Sequence, residues 1–222
     1  MENIAHIIVR WTLLTSFLMP SFSVVAAEKV EVDGVFYHLK DDGSAEVTFR
    51  GEEEDGWMYF SAEELYVGDV VIPDTVWYGG VSYRVTALGD DAFAGSKAMR
   101  SLSLPASVVS VGNGLFSLCN GLSSIQVAEE NPLFSSRDGI LYRKSPFSIC
   151  FVPKAIAGDL VLPEGLTEIP SSAFQNCAGL TTVTLPEDVT YIADGAFSGC
   201  AGLQEIFMAD GIADIGVQAF SK

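Results

Sequence analysis

Apolar side chains recur through the second half of the chain in a fixed frame. Phe93, Phe116, Phe174, Phe197 and Phe220 are separated by 23, 58, 23 and 23 residues, and four of the five follow an alanine. Six positions after the Phe lie Met99, Leu122, Leu180 and Leu203, nine after lie Leu102, Ile125, Val183 and Ile206, and eleven after lie Leu104, Val127, Leu185 and Met208. Five before each Phe sit Leu88, Val111, Ile169, Ile192 and Ile215, and eight before sit Val85, Val108, Leu166, Val189 and Ile212. The long interval reads as 23 residues plus an insertion of 35. One such unit cannot fold alone. About six buried side chains contribute roughly 1.5–3 kcal/mol each, whereas ordering the backbone costs about 1–2 kcal/mol per residue. Stacking removes the deficit, because strands of successive units pair about 4.8 Å apart and the apolar columns become continuous. In Leu180 to Pro186 the last apolar residues alternate as in a strand, and the proline ends it. Val189 and Ile192 fit a strand or a tight turn. The pattern predicts a solenoid of short strands.

The first half of the chain carries different signals. Asp41-Asp42-Gly43 separates Val35–Lys40 from Ala45–Arg50, and Gly79-Gly80 separates Val76–Tyr78 from Val81–Tyr83. Both read as β-hairpins that close the N-terminal end of the array. Before them, Arg10, an apolar run from Trp11 to Met19, Pro20 and Val25-Ala26-Ala27 have the form of a secretory signal peptide cut after Ala27. The run is too short and too interrupted for a membrane span of about 20 residues; an uncleaved N-terminal anchor is the competing reading. No Cys follows it to take a lipid, and no later stretch is long enough to span a bilayer.

The stretch IPSSAFQNCAGLTTVTLPEDVTYIADGAFSGCAGLQEI resembles the BspA-type leucine-rich repeat of bacterial surface proteins, whose consensus runs Ala-Phe, two residues, Cys, two residues, Leu, two residues, Ile, then Leu-Pro. The resemblance covers Val70 to Lys222, and NPLFSSRDGILYRK and GDVVIPDTVWYGGVSYRVTALGDDAF are similar to segments common in that family. It implies a leucine-rich-repeat solenoid of the right-handed α/β-horseshoe class, mainly short β-strands with little helix, and an N-terminal β-hairpin cap. It also implies a secreted or cell-surface protein that binds host, matrix or surface proteins. The domains expected are a signal peptide at 1–27, a β cap region at 28–69 and an array at 70–222 with the 35-residue insertion within about 129–163. Ser96 replaces the expected Cys, Leu115 the Ala, Ala128 the Pro, and Met208-Ala209 the Leu-Pro. The last unit reaches only Phe220-Ser221-Lys222, so its apolar end is expected to be covered by a partner or by self-association, unless this is a shortened member of the family.

Charge narrows the partner. A formal net charge of −17, with no cluster of Lys and Arg, argues against nucleic acid. Residues 28–91 hold 16 acidic and 4 basic side chains. Glu52 to Asp55 and Glu63-Glu64 flank Trp57, Tyr59 and Phe60 there, and the spacing fits no calcium loop. Cys119, Cys177 and Cys200 each lie three residues after a repeat Phe and predict a column of buried, reduced thiols; Cys150 has no evident counterpart. No cofactor or metal is expected, and His38 on an alternating strand is a poor basis for a catalytic triad, so no enzyme is expected. The side chains between the apolar columns of each first strand are the candidate binding face: Ser101, Ser103, Ser124, Gln126, Thr182, Thr184, Glu205 and Phe207. The alternatives are a self-assembling structural subunit, joined through its open C-terminal repeat, and a glycan-binding module using aromatics such as Phe134, Tyr142, Phe147 and Phe151, which otherwise pack on the array.

Overall fold

A computed structural model describes residues 28–50, 52–54, 57–59 and 65–222, the side chains of residues 28, 52–54 and 57–59 excepted. The signal-peptide reading of residues 1–27 and the acidic and aromatic side chains between 51 and 64 lie outside the described residues. The chain begins as an antiparallel meander of β1 (Glu28–Val32), β2 (Val35–Leu39) and β3 (Ser44–Val47). Asp33-Gly34, both at positive φ, turn the first hairpin, and Asp42 Oδ1 accepts from Ser44 N in the second. β4 (Glu52–Glu54) and β5 (Trp57–Tyr59) form a small antiparallel pair.

From β6 (Gly68–Val71) onward parallel pairing dominates. β7 (Thr75–Tyr78) and β8 (Val81–Leu88) form the hairpin expected at Gly79-Gly80, whose φ values of 59° and 84° suit a type I′ turn. β9 (Met99–Leu104), β10 (Ser110–Val111) and β11 (Ser124–Val127) follow, and they separate into two ladders. One is β6–β9–β11, in which Val70, Leu102 and Ile125 align. The other is β3–β8–β10, in which Val47, Leu88 and Val111 align. Next comes an antiparallel sheet of β12 (Phe134–Arg137), β13 (Ile140–Lys144) and β14 (Phe147–Phe151). The two-ladder arrangement then resumes. β15 (Ala157–Val161), β17 (Gly179–Thr184) and β19 (Glu205–Phe207) form one parallel sheet. β16 (Glu168–Ile169), β18 (Tyr191–Ile192) and β20 (Asp214–Ile215) form the other. The Val189–Ile192 segment is thus both a turn and a strand: Val189 N donates to Pro186 O, and Tyr191-Ile192 pair in β18. No helix occurs among the described residues.

The apolar columns become stacks between the ladders. Phe93 lies on Phe116 at 5.6 Å between centroids and 6° between planes, Phe174 on Phe197 at 4.8 Å and 9°, and Phe197 on Phe220 at 5.5 Å and 6°. Tyr66 meets Phe93 edge-on at 5.2 Å, and its hydroxyl donates to Thr48 O and accepts from Phe36 N, tying the N-terminal meander to the first repeat. Burial pushes this phenol up to about 12. The column expected to hold thiols does so: Cys119, Cys177 and Cys200 are free and buried, and Cys119 and Cys200 donate to the carbonyls of Phe93 and Phe174 at 2.9 and 3.0 Å. Ser96, in the same column, accepts from Tyr66 N.

Backbone geometry repeats as well. Asp91, Gly114, Ser172, Gly195 and Gln218 are one column at positive φ, and Gly95, Leu118, Asn176 and Gly199 are another, flanking each Ala-Phe turn. Leu118, at φ 60°, is the unusual member, because a branched side chain pays sterically for this region.

The two exposed rows of the parallel sheets

The parallel registers decide which of the predicted face residues meet. Ser101 pairs with Ser124, and Ser103 with Gln126. Thr182 pairs with Glu205, and Thr184 with Phe207. Each foursome therefore forms two adjacent rows, but the foursomes occupy different sheets, β6–β9–β11 and β15–β17–β19. Gln126, Glu205 and Phe207 are exposed and the other five are half-buried. Beneath them the alternate residues Leu102, Ile125 and Val183 are fully enclosed, which holds the strands flat against the core and fixes which side faces out.

Each row is longer than the sequence reading gave. Asp69 extends the Ser101–Ser124 row and Val71 the Ser103–Gln126 row. Asp159 extends the Thr182–Glu205 row and Val161 the Thr184–Phe207 row. The sheets thus share a layout: a polar row opened by an aspartate beside a mixed row opened by an exposed valine. Val71 and Val161 are 66% and 60% exposed, and Phe207 is 54% exposed. The signal was present in the chain, because Gly68-Asp69-Val70-Val71-Ile72-Pro73 and Gly158-Asp159-Leu160-Val161-Leu162-Pro163 have the same form. The second copy falls inside the 129–163 segment, outside the frame set by the five Phe residues.

Electrostatics reinforce the polar rows. Ser101 Oγ donates to Asp69 Oδ1 at 2.9 Å, and Thr181 Oγ1 donates to Asp159 Oδ1 at 2.8 Å. Hydrogen bonds from Thr181 and then Thr182 hold the Asp159 carboxyl below its ordinary value. Arg100 approaches Asp69 at 3.9 Å, an exposed pair of small energetic weight. These rows offer hydroxyls, carboxylates and small apolar patches without a nucleophile and base in contact. His38 lies half-buried on β2 opposite Lys29 and Glu46. No cluster of three metal-ligating side chains occurs among the described residues.

The aromatics of the 129–163 segment turn inward. Phe134 and Tyr142 are buried, Phe147 stacks on Tyr142 at 5.4 Å, and Phe151 tilts against Phe116 at 4.4 Å. Phe134 and Tyr142 are thus taken up by packing, while Phe147 and Phe151 stay half-buried.

The sequence matches the BspA type Leucine rich repeat region in six copies over residues 81–156 and 144–222. No curated protein matches it at a significant level. Among solved structures, a leucine rich cell surface protein from Faecalibacterium prausnitzii is 22% identical with a TM-score of 0.54, covering 89% of this chain and 53% of its own. A leucine-rich repeat protein from Bacteroides ovatus is 20% identical with a TM-score of 0.50, covering 84% of this chain and 55% of its own. The chain spans about half the length of these two structures, and the likeness shows a shared fold. With the repeat columns, the paired ladders and the matched profile in agreement, the chain belongs to the BspA-type leucine-rich-repeat family.

Proposed function

We propose that this is a secreted or cell-surface leucine-rich-repeat protein that binds another protein, of host, matrix or surface origin, through the exposed rows of its two parallel sheets. In this reading residues 70–222 wind as a right-handed solenoid and residues 28–69 cap its N-terminal end. The observation that carries the reading is the duplicated layout. Asp69–Ser101–Ser124 and Asp159–Thr182–Glu205 are equivalent rows on separate sheets, each beside an exposed valine. Solubility needs polar residues there but not the same order twice, and extended repeat surfaces commonly serve as binding faces. No described helix is long and apolar enough to cross a membrane. The test is a binding screen of residues 28–222 against extracellular-matrix and surface proteins, repeated with Val161→Asp/Phe207→Asp. Both side chains are exposed, so the variant keeps its thermal transition, and affinity is expected to fall at least about tenfold, or about 1.4 kcal/mol. Unchanged binding by that variant and by Val71→Asp overturns the face.

A second reading, a self-assembling subunit, is favoured by the apolar end of the array. Met208, Ile215, Val217 and Phe220 are exposed there, beside a cavity of about 340 Å³ lined by Phe197, Leu203, Ile206 and Phe220. Light scattering over a concentration series tests it. A stack abolished by Phe220→Asp supports assembly, and a monomer at all concentrations ends it.

A further inference from the structure

Between successive repeats the Ala-Phe turns are joined by three backbone hydrogen bonds at alternate residues. Asp91, Phe93 and Gly95 donate to the carbonyls of Asn113, Leu115 and Ser117 at 2.9, 3.1 and 2.7 Å. Ser172, Phe174 and Asn176 donate to those of Asp194, Ala196 and Ser198, and Gly195, Phe197 and Gly199 to those of Val217, Ala219 and Ser221. Gly114, Phe116 and Leu118 occupy the same three positions in the second turn, yet their N–H groups donate to no described residue. The backbone of the next segment does not receive them, because residues 147–151 pair in β14 against β13, although the Phe151 ring still packs on Phe116 at 4.4 Å. On the far side Pro153 has no N–H to give, and the Lys154 ammonium donates to Gln175 O at 2.7 Å in its place. What is left is a cleft of about 470 Å³ into which Gly114, Phe116, Leu118, Leu141 and Phe151 all face. Among the described residues that line it Lys154 is the one charged side chain, in a protein of net charge −17.

We propose that this cleft binds an extended peptide segment of a partner protein, which lies along the 114–118 turn as the next repeat does elsewhere. Its alternate carbonyls accept from the N–H groups of Gly114, Phe116 and Leu118, an apolar side chain packs on the exposed Leu118 and the half-buried Phe151, and a carboxylate lies toward Lys154. Three donors at strand-like alternation select an extended backbone over a simple anion, since the turns at Phe93, Phe174 and Phe197 satisfy them with alternate carbonyls. The site is separate from the exposed rows of the sheets and stands or falls without them.

The probe is an N-acetylated peptide copying residues 213–221, whose Val217, Ala219 and Ser221 carbonyls already fill the equivalent donors of the preceding turn. It is titrated into ¹⁵N-labelled residues 28–222 and followed by amide shifts and hydrogen exchange. Saturable shifts at Gly114, Phe116 and Leu118 are expected, with exchange there slowed at least about tenfold and that of Ser172, Phe174 and Asn176 unchanged. Lys154→Glu, with an otherwise unaltered spectrum, is expected to weaken binding severalfold, and amidating the peptide carboxylate to do the same. Absence of saturable shifts overturns the proposal, as do three amides already as protected in the free protein as their counterparts. Shifts that grow with protein concentration alone place a second copy in the cleft and overturn it too.

Discussion

The block from Gly68 to Val127 and the block from Ala157 to Ile215 open with the same strand, Gly-Asp followed by three aliphatic residues and proline, and part company at their far ends. In the first block the place of the next inner apolar residue, 23 positions after Val108, is held by Asn131, which is fully buried. Its Nδ2 donates to the carbonyls of Pro105 and Val108 at 3.0 and 2.7 Å, and its Oδ1 accepts from Leu133 N and Phe134 N. The ladder is thereby closed, and the β12–β14 sheet leads away. In the second block β19 and β20 each pair on one side, and the last ring of the stack, Phe220, is 38% exposed. The difference teaches that a ladder of identical turns has no intrinsic stop. Where a ladder is to stop, a side chain must satisfy the backbone groups a next turn would have taken, as Asn131 does.

The comparison breaks most visibly at the aromatic stack. Phe197 is enclosed between two rings, so Phe197→Ala is expected to cost about 4 kcal/mol, while Phe220→Ala at the exposed end costs about 1 kcal/mol. Urea denaturation of the two variants measures this, and equal losses would mean the end is covered in solution. Next in size is Asn131→Ala, which strands two carbonyls and two amides in a buried site and is expected to cost about 3 kcal/mol by the same assay. Gly121 and Gly202 are equivalent glycines of the two blocks. A Cβ on them would press on the carbonyls of Lys97 and Ala178 respectively, so Gly121→Ala and Gly202→Ala are each expected to lose about 2 kcal/mol. A clearly smaller loss for Gly202→Ala would show that the open block relaxes more freely.

Leu118→Gly works in the other direction. It removes a branched side chain, 66% exposed, from the left-handed region at the edge of the cleft, and is expected to raise stability by about 1 kcal/mol. The smallest effect at neutral pH belongs to the thiols. Burial pushes Cys119 up to about 11 and Cys177 up to about 12 from an ordinary 9.0, so the unfolded chain releases protons that the folded one keeps. Stability is expected to be level below pH 9 and to fall as pH rises from there through the folded values. Iodoacetamide at pH 8 is expected to reach half-buried Cys150 first, and the column thiols only on unfolding, which peptide mapping by mass spectrometry checks.

Much of this architecture was legible because a repeat writes each contact several times. The positions six and nine after each Phe predicted which residues would be enclosed, and Leu102, Leu122, Ile125, Leu180 and Val183 are fully buried, whereas in the last unit Leu203 and Ile206 are half-buried and Met208 at the eleventh position is exposed. The thiol column and the hairpins at Gly43 and Gly79-Gly80 followed from spacing and turn chemistry. The candidate face was legible in its pairings and illegible in its division, because the departure of β12–β14 depends on Asn131 bonding to carbonyls 23 and 26 residues earlier. The cleft was barely legible in the chain. It arises from three amides that find no acceptor among the described residues, and of these only Leu118 departs in kind from its counterparts Gly95, Asn176 and Gly199.

The sequence by itself determined the unit, its columns and the requirement that units stack, because a 23-residue segment cannot bury enough apolar surface to order its own backbone. Tertiary structure alone decided where stacking is interrupted and what the interruption exposes. Backbone hydrogen bonds between turns join residues 22 positions apart without regard to side-chain type, so their presence or absence is settled only when the strands are placed.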